Sequence, residues 1–269
     1  MSSAIAQSGL LFITAIEELN QYQNELDLNI ESNDDSRKGA TTPDFCNRLK
    51  LMTTLSAKNL TLSQVHQLLK LNKLPNSSFI PLLSLEPLTE FEQQELAQIR
   101  DDFENYLIEG KVLEGQIKLL VIGPLLRLAG FYRSPIKISL ELDIADIIIE
   151  DEDTKITGRF DILAVNKAQP TSTDIAFWLL VIEAKNSSIN SFEGLPQLLT
   201  YAYQSLERQE LVWGLTTNGM QFQFVLLWQG NPSTYQQMPL LNLMDSESAI
   251  QLLQVLKAIC KQQNFVSSR

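Results

Sequence analysis

The chain has 269 residues, 44% apolar and 20% charged, with 21 basic against 32 acidic side chains and a formal net charge of −11. Such composition is globular and excludes a chain disordered throughout or built from fibrous repeats. The acidic balance argues against a protein held on nucleic acid mainly by a basic surface, but is compatible with an enzyme that meets a polyanion in a local cleft through a metal ion. Residues 5–19 lack a basic leader and are broken by Glu17 and Glu18, unlike a signal peptide. Residues 9–28 carry apolar side chains at helical spacing, and 32–43 have loop composition. A helix is predicted over 61–74, capped by Thr61 and stopped by Pro75, with a Pro/Ser connector over 75–87. Thr89-Glu90-Phe91-Glu92 spells a capping box that opens a helix running to Glu109.

The next helical run, 112–128, places Val112, Leu113, Gln116, Leu120 and Pro124 near one face, with a kink or break at Pro124 and a stop at Gly130. The period then changes to two. Ile136, Ile138, Leu140, Leu142 and Ile144 alternate with Lys137, Ser139, Glu141 and Asp143, which predicts a half-buried strand. Glu150-Asp151-Glu152-Asp153 reads as a hairpin tip before a strand over 155–165, and 177–183 is a continuous apolar strand suited to a sheet centre. A helix over 196–209, a strand over 211–216, an Asn218-Gly219 turn into a strand over 221–228, and a last helix over 246–262 complete the pattern. The predicted class is α/β or α+β, a central mixed β-sheet flanked by helices. Residues 1–110 carry 8 basic and 16 acidic groups against 13 and 16 in the remainder. That asymmetry suggests an acidic, helical N-terminal extension over 1–88 and a main domain over 89–269, the better partner for a polyanion.

Cys46 and Cys260 are the only cysteines and His66 the only histidine, too few for a Cys/His zinc site. A Ser-His-Asp or Cys-His mechanism would have to use His66, which lies among Leu62, Val65 and Leu69 and reads as an ordinary helix-face residue. No apolar run approaches membrane-spanning length, and a reducing cytoplasmic setting is the default expectation. Metal chemistry must therefore rest on carboxylates. Asp161 lies within a predicted strand, and Glu183 and Lys185 end the most apolar one. Two residues apart on a strand share a face, so Glu183 and Lys185 project together while Ala184 points away. If Asp161 faces them from an adjacent strand, two carboxylates converge beside one ammonium, a set that Mg²⁺ accepts with waters completing its shell. The cation would activate a water and stabilise charge on a phosphoryl oxygen, with Lys185 orienting or deprotonating that water, or stabilising the pentavalent phosphorus. The plainer alternative is a Glu183–Lys185 salt bridge beside an Asp161 that merely ends a strand. Trp178, Trp213 and Trp228 fall on strands and read as core residues.

Four segments together resemble the PD-(D/E)xK nuclease superfamily, most nearly the N-terminal nuclease domain of type I restriction enzyme motor subunits and its stand-alone relatives. They are Glu114-x-x-x-Lys118-x-x-Val121-Ile122-x-Pro124 running to Gly130-Phe131, then Gly158-Arg159-Phe160-Asp161, then Val181-Ile182-Glu183-Ala184-Lys185, and Pro196-Gln197 running to Tyr201. Thr216-Thr217-Asn218-Gly219 resembles a turn common in those relatives, and the likeness covers about 111–228. It departs from the family at Lys118, where Arg is usual, and no Walker A loop is present, so a stand-alone domain without an ATPase motor is expected. The resemblance implies a restriction-endonuclease-like core and a Mg²⁺- or Mn²⁺-dependent endonuclease acting on DNA phosphodiester bonds. It implies Asp161 and Glu183 as metal ligands, the Ala184 carbonyl as a third, Glu114 at a second metal or its water, and Lys185 in catalysis. Gln197 and Tyr201, one helical turn apart, would contact substrate or position Lys185, and packing explains them equally. Arg159 would meet a phosphate or form a sheet-edge ion pair; Glu114 paired with Lys118 at i+4 is the alternative for that residue. A catalytically silent nuclease-fold module, whose acidic N-terminal helices mediate assembly with a protein partner or cover the cleft, is the competing expectation; a third is an active nuclease that the acidic region restrains until a partner removes it, and a homodimer is compatible with each.

Overall fold

The computed structural model describes residues 52–170 and 176–262. The helix expected over 9–28, the loop over 32–43, and Cys46 lie outside them. In chain order the elements are β1 (Thr53–Ser56), α1 (Leu62–Leu68), β2 (Asn72–Lys73), α2 (Glu90–Glu109), α3 (Glu114–Ile117), a π-helical turn (Lys118–Ile122) and α4 (Gly123–Ala129). There follow β3 (Ile136–Asp143), β4 (Ile147–Ile149), β5 (Thr154–Thr157), β6 (Arg159–Pro170) and β7 (Ala176–Ala184). The chain continues through α5 (Leu195–Ser205), β8 (Leu211–Thr217), β9 (Gln221–Trp228), β10 (Thr234–Gln237), β11 (Leu241–Asn242) and α6 (Ser246–Lys261).

The large sheet is mixed, in the order β2-β10-β9-β8-β7-β6-β3, with β11 added beside β9. Only the β7/β8 and β2/β10 pairs are parallel. The first is joined through α5, as a parallel pair with a helical crossover must be. A three-stranded sheet, β1-β5-β4, stands beside it. Alternation along the strands builds two cores. Ile162, Ala164, Leu180, Ile182 and Ala184 face one, with α2, the π turn, α4 and α6. Leu163, Val165 and Val181 face the other, with α1 and α5.

Local chemistry explains the helix starts. Thr89 accepts from the Glu92 N–H while Glu92 accepts from the Thr89 N–H, the reciprocal cap expected. Thr61 and Gln64 do the same for α1, which ends earlier than expected: Lys70 turns at φ +49° and releases the chain into β2. The 112–128 run is interrupted where Pro124 lacks the N–H that the Leu120 carbonyl would receive. The chain widens instead, and the Gly123 N–H reaches back to the Lys118 carbonyl. The buried stripe is Ile117, Val121, Ile122, Leu125, Leu126 and Ala129; of the face expected from Val112 to Pro124, Val112 is buried and Leu120 packs against the core, while Leu113 and Gln116 are exposed.

Three further differences matter. The strand expected over 155–165 is two strands in two sheets, broken at Gly158, where a Cβ would lie 2.6 Å from Cε1 of Tyr201. Strand β3 is half-buried only at its start; Leu140 is 60% exposed and Leu142 48%, because β3 is the sheet's edge and nothing among the described residues covers its far end. Sheet and core also cross the expected boundary at 88/89. Strand β1 pairs with β5, β2 with β10, and Phe79, Leu83 and Leu88 belong to the first core, all in one compact unit with the rest of the described chain. No helix among the described residues is long and apolar enough to cross a membrane.

Candidate active site

Strand register assembles the site. Strands β6 and β7 pair with Ile162 against Ile182, so one step further Asp161 stands opposite Glu183 on the α5 side of the sheet. On β8, Thr216 is the partner of Glu183. On β3, Leu140 pairs with Ile162 and Leu142 with Phe160, which sets Glu141 opposite Asp161. A polar row, Glu141–Asp161–Glu183–Thr216, thus crosses the four neighbouring strands β3, β6, β7 and β8.

Asp161 is anchored at both oxygens. Its Oδ2 accepts the Ala184 N–H at 2.7 Å and its Oδ1 accepts from Lys118 Nζ at 2.7 Å. Glu183 is 2% exposed; its Oε1 receives Lys185 Nζ at 2.6 Å, and its Oε2 has no hydrogen-bond partner among the described residues. Burial, and then the charge of Asp161, push the Glu183 carboxyl up to about 8 against the opposing pull of Lys185. The neighbouring Thr216 Oγ1 is also buried and unpartnered among the described residues. Lys185 Nζ donates further to Gln197 Oε1 at 3.1 Å, and Gln197 Nε2 donates to the Tyr201 hydroxyl at 2.9 Å. That hydroxyl also accepts the Arg159 N–H at 3.2 Å, and burial raises its pKa to about 12, keeping it a neutral phenol. Gln197 and Tyr201, one turn apart on α5, therefore tether Lys185 to the start of β6.

Close packing at the head of α5 makes this possible. A Cβ on Gly194 would lie 3.2 Å from Glu183 Cγ, 3.3 Å from Thr216 Cγ2 and 3.4 Å from Lys185 Cε. The side chains open onto a cleft of about 820 Å³ lined by Glu114, Asp161, Glu183, Lys185, Gln197 and Tyr201. Ser56, Lys58, Asp143 and Asp146 line it too, so residues from the chain before position 89 contribute to the cleft.

The expected residues divide as follows. Glu183, Lys185, Gln197 and Tyr201 form one hydrogen-bonded chain, and Asp161, held by Lys118 and the Ala184 N–H, forms a second beside it; all five line the same cleft. Glu114 lines the same cleft but pairs with Lys118 at 3.0 Å. The Arg159 guanidinium is largely exposed and lies 3.7 Å from Glu141, the sheet-edge pairing. Trp213 is buried in the first core, Trp228 packs partly buried against that core and Trp178 against the second. His66 bonds the Tyr235 hydroxyl at 3.0 Å, away from the cleft.

Hard oxygen donors, two opposed carboxylates and an orphaned buried Oε2 are the chemistry a divalent cation meets. Among the described residues no group of three His, Cys, Asp or Glu side chains is set to hold a metal. A cation at Asp161 and Glu183 would need main-chain or water oxygens to complete its shell. Sequence reasoning did not find Glu141, Thr216, Gly194 or the reach of Lys118 to Asp161. Thr216 had a weak signal, a hydroxyl ending an apolar strand. Glu141 had only its polar place in the alternation of β3, which does not show its reach to Lys118.

No protein-family model matches the chain, and no curated protein sequence matches it significantly.

Proposed function

We propose that the chain is a stand-alone, Mg²⁺- or Mn²⁺-dependent nuclease with a restriction-endonuclease-like core, hydrolysing DNA phosphodiester bonds by attack of an activated water. The observation that carries this reading is the opposition of Asp161 and Glu183 on one sheet face, with Lys185 beside them and one buried carboxylate oxygen unsatisfied. Asp161 and Glu183 would hold the cation, with the Ala184 carbonyl and Glu114 as further candidates; bound there, it supplies positive charge to a phosphoryl oxygen and acidifies a water. Lys185 is kept pointing into the cleft by Glu183 on one side and Gln197 on the other, so its ammonium is presented without rotamer search to an incoming phosphate. Tyr201 fixes Gln197 and so acts through it. Arg159, at the cleft's edge, can exchange Glu141 for a phosphate.

The test is cleavage of linear and circular DNA in Mg²⁺ and in Mn²⁺. Cleavage lost in Asp161→Ala and Lys185→Ala supports the reading; an inert wild type, or variants as active as wild type, overturns it. A silent binding module is the second reading, favoured by Lys118, which already neutralises Asp161. It predicts DNA or protein binding that survives Asp161→Ala, with no cleavage.

A further inference from the structure

Lys118 holds an unusual position. Its Nζ lies 2.7 Å from Asp161 Oδ1, 3.0 Å from Glu114 Oε1 and 3.5 Å from Glu141 Oε1, and its side chain is only 18% exposed. Three carboxylates from α3, β3 and β6 thus surround one ammonium. Burial alone would lower the lysine's pKa, but the hydrogen bonds it donates to Asp161 and Glu114 outweigh it and hold the group charged.

Two backbone irregularities lie at this contact. The π turn begins at Lys118 itself, and π turns inside helices are frequent at functional sites. Glu141 keeps φ +49° within a strand, a conformation that costs a non-glycine residue of order 1–2 kcal/mol, and its carboxylate meets Lys118 and Arg159. Glu141 stands beside Asp161 on the neighbouring strand, and like charges so placed repel, so the ammonium between their carboxylates relieves that repulsion.

We propose that the Lys118 ammonium, caged by Glu114, Asp161 and Glu141, is a tethered counter-ion that competes with the divalent cation for Asp161. Resting on the nuclease reading, this makes Lys118 a positioning residue that sets the cation concentration at which the site fills. With the ammonium in place Asp161 spends one oxygen on Lys118 and the other on the Ala184 N–H. A dication at Asp161 and Glu183 must displace Lys118 or share Oδ1 with it. Either way a positive charge within one ligand bond of the site weakens cation binding.

The experiment is Mn²⁺ binding, followed by calorimetry and by the electron paramagnetic resonance signal of free Mn²⁺, on wild type, Lys118→Met and Lys118→Arg in metal-free buffer. Lys118→Met should bind Mn²⁺ about tenfold more tightly or more, or take up a second ion in the vacated cage, while Lys118→Arg keeps the charge and binds no more tightly than wild type. Equal affinity in wild type and Lys118→Met, tighter binding by Lys118→Arg, or no binding by any of the three would overturn the proposal. If Lys118→Met fails to fold, Lys118→Gln takes its place with the same expectation, and unchanged affinity there has the same force. Failure here is separable from failure of the nuclease reading. Equal affinities with metal-dependent cleavage remove the counter-ion alone; tighter binding by Lys118→Met with no cleavage by any form removes the nuclease alone.

Discussion

Glu183→Gln in the metal-free protein is the perturbation whose outcome follows most directly from the structure. Glu183 is almost wholly buried, faces Asp161, and has one oxygen without a partner among the described residues. Its carboxyl titrates near 8 in the fold, against 4.5 when the chain is unfolded. Because the folded pKa is the higher, the unfolded chain binds fewer protons between those values, and stability falls as pH rises through that window. From pH 5 to 7.5 the loss is about 3 kcal/mol, at 1.36 kcal/mol per pH unit. For a domain of this size that is a Tm difference on the order of 10 °C. Glutamine keeps the shape and can still accept from Lys185, but carries no charge to bury. Thermal melts in EDTA should show Glu183→Gln well above wild type at pH 7.5 and close to it at pH 5. Mg²⁺ at pH 7.5 should then raise the wild-type Tm and leave the variant unmoved. Equal pH dependence in the two proteins would refute the buried, like-charge environment assigned to Glu183.

Three other outcomes follow. Thr216→Val removes a buried hydroxyl with no partner among the described residues at nearly constant volume, so denaturant melts should show it neutral or stabilised by up to about 1 kcal/mol; a loss of 2 kcal/mol or more would mean the hydroxyl is bonded. Tyr201→Phe strips the Arg159 N–H and Gln197 of their acceptor and should destabilise by about 1 kcal/mol, with a larger fall in kcat than in KM for DNA as Lys185 loses its tether. Gly194→Ala presses on Glu183, Thr216 and Lys185 together and should cut cleavage about tenfold while urea melts move by less than about 2 kcal/mol; wild-type activity would show that the α5 head yields freely.

The parts of this molecule written locally were legible in the sequence. Thr89 and Glu92 announce the start of α2, Asn218-Gly219 the turn from β8 to β9, and the apolar run ending at Glu183 the centre of the sheet. Spacing alone put Glu183 and Lys185 on one face, and the order of segments suggested that Asp161 would join them. What escaped depends on partners distant in the chain. Thr53–Ser56 is a strand only because Thr154–Thr157 lies alongside it, and its four residues carry no periodic signal of their own. Gly158 breaks an apparently continuous strand because the Tyr201 ring, 43 positions on, occupies the space a side chain would need. Lys118 looked like the i+4 partner of Glu114, which it is. Its reach to Asp161 joins residues 43 positions apart, which helical spacing cannot show. The exposure of Leu140 and Leu142 reflects the edge position of β3, which alternation cannot reveal.

Joint binding of one divalent cation by Asp161 and Glu183, as proposed, is tested most directly by a crystal of the full chain soaked in Mn²⁺ and measured at the manganese absorption edge. An anomalous peak is expected within coordination distance of both carboxylates, absent in Asp161→Asn. No peak in the cleft, or one that persists unchanged in Asp161→Asn, would contradict it.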